Sequence, residues 1–210
     1  MTARRLRVSR MRTFRLTPGI GAASVLLLAS VLRGAEPHSV EMPNVGVVVR
    51  NFSAAPLDLV QKAEGNCQQI YRAAGIRLTW INSVEDVTWE GPDVVFRAVI
   101  LPQAPPSRAL AAFGTALRER QELLLYHDRI VRFAKIVDLP MQSMLSVALV
   151  HEIGHLLLDS DDHTSSEIMR AEWDREDLNG ILRGQSHFTS SQVRRMKANI
   201  ERRGSARVVR

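Results

Sequence analysis

The chain has 210 residues, 45% of them hydrophobic and 24% charged, which is enough to bury one ordinary core and too apolar for a disordered protein. Its net charge of +6 invites a nucleic-acid reading, but residues 1–35 hold seven arginines (Arg4, Arg5, Arg7, Arg10, Arg12, Arg15 and Arg33) and no acid. The remainder sets 21 of the 28 basic residues against all 22 acidic ones, a balance of −1, so no nucleic-acid partner is expected.

In chain order, the first element is a leader. The arginine-rich start is followed by an apolar run from Ile20 to Leu32, 13 residues long, where a membrane span needs about 20. A positive segment before a short apolar run has the order of an export signal, so residues 1–35 are read as an export signal or N-terminal membrane tether. A cut after Ala35 would leave Arg33 where a small residue is usual, so cleavage and retention both stay open. Periplasmic or secreted placement follows, and the single cysteine, Cys67, rules out an intramolecular disulfide. Residues 36–44 read as a linker, 45–203 as the folded domain and 204–210 as a basic tail.

Within the domain, the β-branched run Val45–Phe52 predicts a buried strand. Pro56 and Asp58 open a helix to about Ala74, with Leu59, Ala63, Cys67, Ile70 and Ala74 on its buried face and Gly75 as its stop. Ile76–Ile81 and Asp93–Leu101 read as two further strands. Phe113–Lys135 fits strand or helix, and the run LLLYHDRIV is taken as a strand at a sheet edge, Leu123 to Ile130. A long apolar helix follows from Leu139 to Leu158, then a polar loop, a helix near Arg175–Leu182 and another from Ser190 to about Arg203, capped by Thr189. Strands first and helices last make one α+β domain, a small twisted sheet packed on helices.

The chemistry lies in HEIGH, residues 151–155. On a helix, residues four apart share a face, so His151 and His155 can aim one imidazole nitrogen each at a common point, which suits zinc. Glu152, turned about 100° around the axis, can reach a water beside the ion and take its proton. Gly154 costs about 1 kcal/mol of helix stability relative to alanine, which implies close packing at that point. Two candidates offer a third ligand, His163, which is preferred, and Asp161. Arg170 and His187 are weaker candidates for stabilising an oxyanion.

HEIGH, a loop histidine and the following SEIM resemble the metzincin clan of zinc metallopeptidases. The resemblance covers about 20 residues, and it implies a zincin-like fold in which His151, His155 and a third ligand hold zinc, Glu152 is the general base and Met169 occupies a tight turn beneath the metal. The chain departs from the metzincin run H-E-x-x-H-x-x-G-x-x-H, because Leu158 stands at the glycine and Asp161 at the third histidine. A small branch, the snapalysin-like peptidases, places aspartate there. A gluzincin-like reading would instead draw Glu172 or Glu176 from downstream. The expected activity is that of an exported zinc metalloendopeptidase acting on a peptide or protein substrate. The alternative is a non-catalytic zinc-binding module whose coordination sphere is closed by a loop carboxylate. No feature of the sequence sets an oligomeric state.

Overall fold

A computed structural model describes residues 42–82, 91–106, 112–164 and 168–208, without the side chains of 206–208. The leader and residues 36–41 of the linker lie outside the described residues. Within them the elements run β1 (Asn44–Asn51), α1 (Leu57–Ala73), β2 (Arg77–Ile81), β3 (Val94–Leu101), β4 (Gly114–Leu117), β5 (Glu122–Tyr126), α2 (His127–Ile136), α3 (Met141–Leu158), α4 (Arg175–Leu182) and α5 (Ser190–Val208). The architecture is the expected α+β arrangement.

The sheet order is β2-β1-β3-β5-β4. The first four strands pair in parallel and β4 pairs antiparallel with β5 at the edge. β1 sits between β2 and β3, with Val45, Val47 and Val49 buried on one face while Val48 and Arg50 on the other are half-buried. α1 connects β1 to the parallel β2 and packs on α3. Its buried face is Val60, Ala63, Glu64, Cys67 and Tyr71, rotated from the expected one so that Leu59, Ile70 and Ala74 are only half-buried. The rotation follows from two polar side chains that find partners inside. Tyr71 donates to the Val150 carbonyl (2.8 Å) and Glu64 accepts from Asn82 Nδ2 (3.1 Å). Burial pushes the Cys67 thiol well above its ordinary pKa, so this cysteine is an inert core residue.

α3 is the core helix. Every residue from Met144 to Leu158 is buried, with α1, α2, α5 and the sheet around it. A helix apolar on all sides belongs inside a protein, and here that interior carries His151, Glu152 and His155.

The stretch from Phe113 to Lys135 differs from expectation. It holds a short strand, β4, one 3-10 turn (Arg118–Arg120), a second strand, β5, and then α2, so residues 127–130 are helical. Leu123 to Ile130 is therefore not the sheet edge, because β4 covers β5 and is itself the free edge. α5 continues to Val208, beyond the expected end near Arg203. Thr189 caps it reciprocally with Gln192, accepting from the Gln192 N–H (3.1 Å) while Gln192 Oε1 accepts from the Thr189 N–H (2.8 Å).

Candidate metal centre

His151 and His155 lie one turn apart on α3, and His163 reaches back from the loop that follows it. The three ligand nitrogens fall within 4.8 Å of one another, and this is the metal-competent cluster found among the described residues. His151 Nε2 stands 3.0 Å from His155 Nε2 and 3.2 Å from His163 Nε2. His151 Nδ1–H donates to the Ile168 carbonyl (3.1 Å) and His155 Nδ1–H to the Ser160 carbonyl (2.8 Å). A carbonyl only accepts, so both protons sit on Nδ1 and both Nε2 atoms present bare lone pairs to the same point. Lone pairs converging at that distance need a cation between them. Nitrogens held tetrahedrally at about 2.0–2.1 Å from zinc stand about 3.3 Å apart, so this donor set fits the ion. Burial, then the neighbouring His155, push His151 down to about 3, which keeps it neutral and ligand-competent.

Glu152 is buried in the same cleft. Burial raises its carboxyl to about 8, opposed by a hydrogen bond from the Ala116 N–H. The register and the Tyr126 N–H bond to the Phe113 carbonyl (2.8 Å) place Gly114 and Ala116 at the positions whose backbone groups face away from β5. The free edge of the sheet thus holds the carboxyl directly. Gly114 makes room for it, since a Cβ there would lie 2.8 Å from Glu152 Oε1 and 2.7 Å from the Leu124 carbonyl. The cleft, about 490 Å³, is bounded by β4, α3, the His163 loop and Trp173. Trp173 meets His151 edge-on (ring centroids 4.8 Å apart) and stacks near Phe113 (6.2 Å). A larger hollow of about 630 Å³ beside Arg77, Asp93 and Glu201 contains none of these groups.

The chain turns after α3 without a glycine. Asp159 takes the left-handed conformation (φ 52°), which aspartate tolerates better than most residues. Its carboxylate is held by Arg202 (3.3 Å) and Arg203 (3.4 Å) of α5. Asp161 stands outside the ligand cluster, because both its oxygens are taken by Arg118, from Nε at 3.0 Å and Nη2 at 2.6 Å. Glu172 lines the cleft but neither it nor Glu176 joins the cluster. Met169 is fully buried beside Gly154, where a Cβ would lie 2.6 Å from its sulfur, which supplies the close packing expected of that glycine. Arg170 pairs with Asp177 (2.5 Å), and His187 lines a different hollow, with Phe188 and Val193. The roles of Ala116, Gly114, Arg118 and Trp173 carried no signal in the sequence, since each depends on contacts made by the fold.

No family model and no curated protein matches the chain. Similar solved structures include a zinc-dependent peptidase from Methanocorpusculum labreanum, 13% identical with a TM-score of 0.48 over 72% of this chain and 99% of that one. Archaemetzincin from Methanopyrus kandleri is 12% identical, with a TM-score of 0.49 over 81% of this chain and 99% of that one.

Proposed function

We propose that the protein is an exported zinc-dependent endopeptidase, with His151, His155 and His163 holding the metal and Glu152 as general base. The observation that carries this is the convergence of two tautomerically fixed imidazoles and a third histidine beside a buried carboxyl in one cleft. Zinc held by these three neutral imidazoles would supply Lewis acidity, lowering the pKa of a water to about 7 and polarising a carbonyl.

The chain's own residues divide the remaining work. Glu152 takes the proton of the attacking water and delivers it to the leaving amine, and its burial makes it a stronger base than an exposed carboxylate. The Ala116 N–H fixes that carboxylate against the sheet. The outward backbone groups of β4 other than the Ala116 N–H accept the substrate backbone as an added strand beside the histidines, the geometry suited to cleavage within a chain. Met169 forms the floor beneath the histidine-bearing turn of α3. The arginine-rich leader supports export, and the N-terminal sequence of the protein recovered from its host envelope would decide between cleavage and tethering.

Hydrolysis of an unstructured protein tests the reading. Wild-type activity should vanish with a chelator and return with zinc, and Glu152→Gln should lower kcat by about 10²–10⁴ while keeping its metal. Full activity in Glu152→Gln would sink the mechanism. Tight zinc binding with no hydrolysis in the wild type would favour the non-catalytic module.

A further inference from the structure

Arg118 links two parts of the site that the sequence keeps far apart. It follows the edge strand β4 directly, and its guanidinium grips Asp161 with Nε at 3.0 Å and Nη2 at 2.6 Å. The same group donates through Nη1 to the Asp159 carbonyl at 3.3 Å. Both acceptors belong to the loop that delivers His163. That histidine needs support. It is the exposed member of the cluster and, unlike His151 and His155, its Nδ1 has no carbonyl partner among the described residues.

The first residues of the loop have further ties besides Arg118. The Ser160 carbonyl accepts from His155, the Ser160 hydroxyl bonds Asp162 (2.6 Å), and α5 arginines hold Asp159. Asp161, two residues before His163, is fastened to the sheet by Arg118. A bidentate guanidinium–carboxylate pair fixes orientation as well as distance, which a single lysine contact does not.

We propose that Arg118 is a positioning residue for the third metal ligand, holding the His163 loop in register with the strand that also holds Glu152. The inference rests on the three-histidine reading of the site. One segment, β4 with its following turn, then sets both the base, through Ala116, and the exposed ligand, through Arg118. Asp161 serves as the receiving half of the clamp.

The test is zinc competition against a chelator for the full chain and for Arg118→Ala, Asp161→Ala, their double variant and Arg118→Lys, with unfolding of each zinc-free protein alongside. Arg118→Ala and Asp161→Ala should each weaken zinc binding by about tenfold. The double variant should lose no more than either single one, Arg118→Lys should recover part of the loss, and zinc-free unfolding midpoints should stay together. The cobalt(II) spectrum of Arg118→Ala should change while that of a surface control such as Lys62→Ala does not. Wild-type affinity in Arg118→Ala would overturn the clamp and leave the metal site standing. Abolished binding in Asp161→Ala with none lost in Arg118→Ala would also overturn it, by making Asp161 a ligand. A wild-type chain that binds no zinc would overturn the site itself.

Discussion

The two halves of the candidate metal centre are built differently. The α3 half (His151, Glu152, His155) is buried and spaced by a helix, its imidazoles oriented by carbonyl acceptors and its carboxyl by the Ala116 N–H. The loop half (Asp159 to His163) is mostly exposed and is held by side chains from β4's following turn and from α5. A helix fixes its ligands by local geometry, whereas a loop must borrow rigidity from distant parts of the fold. Changes in the first half should therefore disturb the protein, and changes in the second should disturb only the metal.

The largest effect is expected where the sheet meets the base. Gly114→Ala places a methyl against Glu152 Oε1 and the Leu124 backbone, and a small displacement of a reacting group costs about 10²-fold. Steady-state kinetics should show lower kcat with zinc retained, and unchanged kcat would break the coupling of strand to base.

Next come the histidines themselves. His151→Ala leaves the Ile168 carbonyl without its buried donor, so the zinc-free variant should unfold about 1–3 kcal/mol more easily. His163→Ala removes an exposed ring and should change zinc-free stability by no more than about 0.5 kcal/mol. Equal losses in urea titrations of the two would erase the distinction between the halves. Gly154→Ala should cost about 1 kcal/mol, because overpacking against Met169, about 1–3 kcal/mol, is partly offset by helix propensity.

Acid–base behaviour gives the smallest and most specific signal. His151 is lowered from 6.5 to about 3, so between those values the unfolded zinc-free chain binds more protons and stability rises with pH. Glu152 is raised from 4.5 to about 8, so in that window the folded chain binds more protons and stability falls with pH. Zinc-free stability should thus be greatest near pH 4.5–6.5 and decline on either side. Glu152→Gln should remove the alkaline decline and let stability keep rising up to pH 6.5, and urea midpoints against pH would read the difference.

The same contrast explains what the sequence reveals. α3 is legible because helical spacing and an apolar run coincide on HEIGH. β4 is hidden because four residues and a 3-10 turn, ending with Gln121 in the left-handed region, are too short for a periodic signal. Arg118 is silent for another reason, since its partner Asp161 lies 43 positions along the chain. Asp161 stands where the resemblance would put a ligand, but in the structure Arg118 takes its carboxylate while His163 joins the candidate cluster. Glu64 similarly breaks the polarity pattern of α1 by finding Asn82 inside.

The most direct test of the three-histidine centre is the zinc content of the full chain beside that of His163→Ala. The account expects about one zinc per chain in the wild type, largely lost in the variant. Zinc retained at the wild-type level in the variant would contradict it and place the third ligand elsewhere.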